Sequence, residues 1–291
     1  MTWGRRHALA LVLLLGACAA PPPGPYGPTA DEQRQAARHV RLRIGAPPLA
    51  RTLQPAAQPM PLRRAAAEPA FTWTLDGASF TLDDYLRRQP VTAMLVARGD
   101  EILIERYGLG GAADRHFLSN SMAKSLVGLA AGLARAEGRL ADARQPLRTW
   151  LPTLRDTAWG DTTLNNLLRM GSGMRFVETY EPGDDSSRFR QAFQRLGVEE
   201  AARGFAEREA PQGSRFNYAG IDTALATAAL VAATGEGLAR FLEPRLWQAM
   251  GAEAPADWLT DPRGLELGQC CLWARPRDWL RLGLLLAHDG R

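Results

Sequence analysis

Apolar and polar positions alternate differently in successive stretches of the chain. Ala8 to Leu15 is a short continuous apolar run behind Arg5, Arg6 and His7. Residues 19–70 hold 11 of the 20 prolines and little apolar periodicity, apart from a short helical pattern between Asp31 and Ile44. From Phe71 the pattern becomes regular. Thr81-Leu82-Asp83-Asp84 ahead of Tyr85 and Leu86 has the form of a capping-box helix start. Ala93 to Arg98 and Ile102 to Tyr107 are β-rich runs separated by Gly99-Asp100-Glu101, which predicts an antiparallel hairpin. Ser121 to Ala136 is rich in Ala, Leu and Gly on every side and ends at Gly138, the pattern of a helix buried all round. Thr163 to Met170, Asp222 to Ala233 and Gly237 to Met250 read as helices stopped by Gly171, Gly235 and Gly251. Pro276 to His288 has proline at its start and Gly290 just past its end. Two strands followed by a long helical stretch predict an α+β architecture rather than repeated βαβ units. There is no internal repeat.

Composition narrows the class. A chain of 291 residues with 46% apolar and 23% charged residues can bury a full core, which excludes whole-chain disorder, a collagen-like repeat and a polytopic membrane protein. The net charge of +4 is concentrated at the N-terminus: residues 1–70 carry 9 basic and 3 acidic residues, which leaves 26 against 28 beyond them. A near-neutral folded part argues against a nucleic-acid partner.

The charged start, short apolar run and small residues before a cysteine describe an export signal, and the run is too short to span a bilayer. Leu15-Gly16-Ala17-Cys18 resembles a bacterial lipobox, whose cysteine is acylated and becomes the mature N-terminus. This predicts a lipoprotein signal peptide over 1–18, lipidation at Cys18, a proline-rich tether over 19–70 and a folded domain over 71–291. The domain would then face the periplasm of a bacterial cell envelope, held by its lipid anchor. An ordinary cleaved signal peptide with a coincidental cysteine is the alternative. With Cys18 lipidated, only Cys270 and Cys271 remain, and adjacent cysteines seldom bridge, so no disulfide is expected. No Cys/His spacing suggests a metal site, and no cofactor is expected.

The candidate chemistry starts from a count. The chain has 34 arginines and a single lysine, Lys124. Unlike a guanidinium, a lysine amine can give up its proton. Lys124 stands three residues after Ser121, where i and i+3 share a helix face and the hydroxyl and amine can meet. A serine hydroxyl becomes a nucleophile when a neighbouring base takes its proton, and a desolvated lysine can be that base. The helix N-terminus also favours the oxyanion that follows attack on a carbonyl. The spacing alone has about a 3% chance of arising at random and leaves open a capped buried helix with one snorkelling lysine. An ammonium on a helix without a polar face is costly unless paired or neutral.

Phe117-Leu118-Ser119-Asn120-Ser121-Met122-Ala123-Lys124-Ser125 resembles the nucleophile segment of the serine β-lactamase and penicillin-binding-protein superfamily. The branch it resembles is the class C-related one that includes esterases and 6-aminohexanoate-oligomer hydrolases. Three further stretches match in order: Leu167 to Met174, Phe216 to Thr223 and Arg277 to Gly283. The resemblance implies a β-lactamase-like fold, an antiparallel sheet with a largely helical subdomain. It implies that Ser121 is acylated, that Lys124 accepts its proton, and that Tyr218 relays a proton to the leaving group and activates water. The implied protein is a membrane-tethered serine hydrolase of small esters or amides. A catalytically silent lipoprotein that binds peptides or cell-wall fragments is the alternative. Gly220 departs from the Asn of the usual Tyr-x-Asn motif, which weakens a penicillin or peptidoglycan assignment.

The resemblance also implies a Lys/His-x-Gly strand after Tyr218 that supplies a second oxyanion donor beside the Ser121 N–H. His288-Asp289-Gly290 reads instead as a helix stop. The expectation is therefore a C-terminally truncated domain whose sheet is incomplete. Its hairpin would be two strands of about five, with an unpaired inner edge prone to aggregation. A Ser-His-Asp triad fits poorly, because His116 and His288 are the only histidines from Phe71 onward and there is no Gly-x-Ser-x-Gly elbow. Glu178, Tyr180, Glu181, Asp184 and Asp185 read as a solvated acidic loop at the cleft rim without a catalytic role.

Overall fold

A computed structural model of the chain describes residues 29–41 and 49–290. The signal peptide, Cys18 and the first part of the expected tether lie outside the described residues. The architecture is α+β, as expected. Among the described residues ten short strands form three sheets: β1 (Val40–Arg41), β2 (Ala50–Leu53), β3 (Arg63–Arg64), β4 (Thr72–Leu75), β5 (Ala78–Thr81), β6 (Ala93–Arg98), β7 (Glu101–Tyr107), β8 (His116–Leu118), β9 (Ala256–Leu259) and β10 (Leu272–Ala274). The largest sheet is antiparallel with order β1-β8-β10-β9-β2.

The hairpin is present as β6 and β7, paired from Ala93 against Tyr107 to Arg98 against Glu101, with an irregularity between Val96 and Ala97. Gly99 takes the positive φ that its turn needs. Contrary to expectation, the hairpin is not part of the five-stranded sheet. It gains a third strand on the β7 side, β3, running parallel. On its other side β6 has no strand partner among the described residues. There it borders a groove of about 440 Å³ lined by Leu95, Phe117, Met122 and Trp279.

The tether boundary also shifts. Leu53 on β2 is buried in the main core, and β2 pairs with β9, so residues 50–64 belong to the folded body rather than to a free linker. The short helical pattern forms α1 (Ala30–Arg38), closed by a Thr29–Glu32 capping box. Helix α2 (Leu82–Arg88) starts from the Thr81–Asp84 capping box read in the sequence.

The helical part packs around α3 (Ala123–Ala136) and α8 (Gly220–Thr234). Eleven consecutive residues of α8, Gly220 to Leu230, are buried, and Gly235 ends it in the left-handed conformation. Alanine and threonine let α8 approach its neighbours closely on every side. Helix α3 is not buried all round. Leu126, Val127, Ala130, Ala131 and Ala134 enter the core, while Ser125, Gly128, Gly132 and Arg135 form an exposed stripe. Its two faces differ in side-chain size more than in polarity, so exposing the small stripe costs little, whereas each buried Leu or Val contributes about 1.5–3 kcal/mol.

Four shorter helices follow α3: α4 (Ala158–Asp161), α5 (Leu164–Leu168), α6 (Asp185–Leu196) and α7 (Val198–Ala202). The helix expected over 237–250 is broken. Helix α9 (Leu238–Leu242) gives way to a wider π-turn at Glu243–Trp247, where Pro244 lacks the N–H that an α-helix would require. Trp159, Trp247 and Trp258 are fully buried, and each indole N–H donates to a backbone carbonyl. The last helix, α10 (Pro276–Ala287), starts with its proline in the first turn and ends before His288, Asp289 and Gly290. The last two adopt positive φ, so this tripeptide is a helix stop. Among the described residues, no single helix is long and apolar enough to cross a membrane.

Candidate active site

The nucleophile segment is set by a strand, a turn and a helix. Strand β8 runs into Ser119, whose N–H donates to the Leu272 carbonyl at 2.8 Å and whose hydroxyl accepts from the Leu272 N–H at 3.1 Å. The side chain thus extends the β8–β10 pairing by one residue. Asn120 then takes a positive φ of 44°, a 3₁₀ turn covers Asn120–Met122, and α3 begins at Ala123. Asparagine is among the few non-glycine residues that tolerate this conformation readily. His116 is buried at the base of the segment, with Nε2 2.9 Å from the Pro255 carbonyl. It is a buried polar residue of β8.

Ser121, Lys124 and Tyr218 come together. Lys124 Nζ donates to Ser121 Oγ at 3.0 Å and to the Gln269 carbonyl at 2.8 Å. The Tyr218 hydroxyl donates to Ser121 Oγ at 2.6 Å, although the two residues are 97 positions apart. Lys124 Nζ also lies 5.1 Å from the centre of the Tyr218 ring. The serine oxygen is therefore bracketed by one amine and one phenol.

Tyr218 is held by a clamp built from the second motif. The Asn217 N–H donates to the Met170 carbonyl at 2.8 Å, and its side-chain amide donates to the Phe176 carbonyl at 3.1 Å. The Gly171-Ser172-Gly173 turn binds the 209–213 segment that leads to Tyr218: Gly173 O accepts from the Glu209 and Ala210 N–H groups, and Gly171 O from Gly213. Arg208 ties Ser172 O, Ala158 O and Thr162 Oγ1 together. Gly173 has φ +74°, and a Cβ there would lie 2.2 Å from the Ala210 carbonyl. Gly173→Ala is therefore expected to cost about 2–4 kcal/mol. That corresponds to a fall in Tm of about 5–15 °C for a domain of this size, checked by thermal unfolding.

Behind the clamp, Asp222 in the first turn of α8 is fully buried. Burial pushes its carboxyl up to about 7. The Ser172 hydroxyl and N–H oppose the shift, the Glu178 carboxylate adds to it, and Arg208 works against it.

The acidic loop divides into residues with different tasks. Asp184 caps α6 by accepting from the Ser187 N–H at 2.7 Å and also receives the Thr179 and Tyr180 N–H groups. Asp185 is buried, accepts from the Val177 N–H and pairs with Arg188. Glu178 reaches the site itself. Its carboxylate accepts from the Gly220 N–H at 2.5 Å and from the Tyr180 hydroxyl at 3.1 Å. Loss of hydration, then the Glu178 charge and the Tyr218 phenol, hold the Tyr180 hydroxyl above the ordinary tyrosine range. The departure from asparagine at Gly220 has a structural counterpart, since a Cβ there would sit 3.2 Å from Glu178 Oε2.

Glu178 and Tyr180, read from the sequence as solvated residues of the cleft rim, are thus tied to the site, and Gln269 is a site neighbour that the sequence reading did not pick out. The late motif plays a scaffold part. Arg277 makes a two-point bond to Glu105 of β7. Asp278 accepts from the Glu253 and Ala254 N–H groups and from Arg281.

One sequence expectation is overturned beside the site: Cys270 and Cys271 form a disulfide. The turn permits it because Cys271 adopts φ +77°.

The order of elements and the serine–lysine–tyrosine geometry define a serine β-lactamase-like protein. The chain belongs to the Beta-lactamase family, whose model matches residues 81–264. It is 27% identical over 236 residues to a 6-aminohexanoate-dimer hydrolase of Paenarthrobacter ureafaciens, covering 77% of this chain and 59% of that protein. Among solved structures it resembles a protein described as a 6-aminohexanoate-dimer hydrolase of Bacillus anthracis. There the TM-score is 0.74 and the identity 23%, over 84% of this chain and 66% of the other. It also resembles a protein described as a β-lactamase from Bacteroides dorei, with TM-score 0.52 and 23% identity over 68% of this chain and 58% of the other. The chain therefore spans about three fifths of the length of the curated relative it matches.

Proposed function

We propose that the chain carries the site of a serine hydrolase that forms and hydrolyses an acyl-enzyme on Ser121, acting on small esters or linear amides. The observation that carries this reading is the bracketing of Ser121 Oγ by Lys124 Nζ at 3.0 Å and the Tyr218 hydroxyl at 2.6 Å. As Oγ attacks a substrate carbonyl, Lys124 takes the hydroxyl proton. Tyr218 hands its proton to the departing alkoxide or amine, and the phenolate then draws a proton from the water that attacks the acyl-enzyme. The Ser121 N–H, at the start of the 3₁₀ turn and α3, is one donor to the oxyanion. One ester or amide and one water become an acid and an alcohol or amine, and Ser121 is regenerated.

The 6-aminohexanoate dimer named for the curated relative is a linear amide, which favours linear amides over β-lactams here. Gly220 and the Glu178 carboxylate beside it favour the same side. A panel of p-nitrophenyl esters, short linear amides and nitrocefin tests the reading. Turnover of esters or amides at least tenfold above nitrocefin is expected, and turnover of nitrocefin alone contradicts it. A fluorophosphonate probe that leaves the protein unlabelled would support the catalytically silent alternative.

The same proposal places the protein in the cell envelope, anchored through Cys18. The lipobox-like tetrapeptide and the prolines behind it support this. Cys18→Ser is expected to move the protein from the membrane to the soluble fraction or to block its processing. Identical fractionation and migration of variant and wild type would refute the anchor.

A further inference from the structure

We propose that Cys270 and Cys271 form a reversible thiol–disulfide site that controls how Lys124 is held against Ser121, an inference that rests on the acyl-enzyme reading. Four consecutive residues, 269–272, grip both ends of the nucleophile segment. The Gln269 carbonyl accepts from Lys124 Nζ at 2.8 Å, and Leu272 exchanges two hydrogen bonds with Ser119. The two cysteines lie between these contacts. Both are half-buried.

The disulfide closes a ring around the single peptide that joins its residues, and that ring fixes the local backbone. Cys271 is held at φ +77°, a conformation that a non-glycine residue leaves when nothing enforces it. The surroundings confine any relaxation. Trp258 Nε1 donates to the Cys270 carbonyl at 3.0 Å, and the Leu259 N–H donates to the Cys271 carbonyl at 3.1 Å, so both carbonyls are tied to β9. The Gln269–Cys270 peptide joins the ring to the site: its N–H donates to the Leu267 carbonyl at 3.0 Å, and its carbonyl faces Lys124. Its carbonyl is one of the two oxygens to which the Lys124 amine donates.

The chemistry requires a dithiol reductant. One of its thiolates attacks a cysteine sulfur, the Cys270–Cys271 bond breaks, and the departing sulfur takes a proton. The reductant's second thiol then resolves the mixed disulfide. The products are two cysteine thiols and an oxidised reductant, a transfer of two electrons and two protons.

The test measures fluorophosphonate labelling of Ser121 in the full-length protein, using dithiothreitol as reductant and oxidised glutathione to reverse it. Thiols are counted on the peptide that contains residues 270–271. The untreated peptide is expected to show none and the reduced peptide two. Reduction is expected to slow labelling about tenfold, and reoxidation to restore it. Cys271→Gly allows the positive φ without a sulfur, so its labelling is expected to ignore dithiothreitol and to exceed that of Cys271→Ser, which should match the reduced wild type. If Cys271→Ser does not fold, the contrast between Cys271→Gly and reduced wild type decides the same question. Equal labelling before and after a verified reduction, or two free thiols in untreated protein, overturns this inference alone. Absence of labelling in every form overturns the acyl-enzyme reading and this inference with it.

Discussion

Replacing Lys124 with arginine is expected to slow acylation of Ser121 by about a thousandfold, nearly as much as replacing it with alanine. Arginine supplies a cation and hydrogen-bond donors at the position from which the lysine amine donates to Ser121 Oγ and the Gln269 carbonyl. What it cannot do is accept the serine proton, because the guanidinium stays protonated at any pH the protein survives. The two variants thus separate charge from basicity at one position. Pre-steady-state acylation with an activated ester provides the measurement. An arginine variant with near-full activity would remove Lys124 from the role of base.

The second large effect concerns stability and pH. Asp222 has a folded-state value of about 7 against an ordinary 3.8, caused first by burial. A carboxyl whose folded value is raised contributes stability that is fully present below its unfolded value and is lost as pH rises through the folded one. Between these limits the native state holds a proton that the unfolded state has released, so stability falls with rising pH. A shift of about three units corresponds to about 4 kcal/mol in total, of which about 3 kcal/mol is lost between pH 5 and pH 8. Asp222→Asn removes the titration, and its urea midpoint should change less than that of the wild type across this range. At pH 8 the variant should be the more stable of the two. If both lose stability equally, Asp222 does not carry this charge cost.

What the sequence made legible was chemistry at close spacing. Ser121 and Lys124 share one turn, the Thr81 capping box spans four residues, and the β6–β7 turn is two residues long. Each is decided by local geometry. Tyr218 could be placed only through its motif, since its partner lies 97 positions away. Glu178 escaped because its contact to Gly220 bridges 42 positions and an acidic residue in a loop looks the same whether solvated or docked.

Asp184 was recoverable. An aspartate ahead of Ser186, Ser187 and the Phe189–Phe193 pair is an N-cap signal. Strands β1 and β3 are two residues long, too short for periodicity to register, and they form only because longer partners are already in place. Helix α3 misled by composition. Its exposed Ser125, Gly128 and Gly132 score as compatible with a core although nothing among the described residues packs over them. The disulfide was missed because the positive φ at Cys271, which makes an adjacent pair compatible with a bond, is a property of the turn and not of the two letters.

The most direct measurement of the central claim is the site of covalent capture. The wild-type protein would be treated with a fluorophosphonate, digested, and the modified residue identified by tandem mass spectrometry, beside Ser121→Ala treated in the same way. One adduct per chain is expected, on Ser121, and none in the variant. An adduct on any other residue, or labelling that persists in Ser121→Ala, would contradict it.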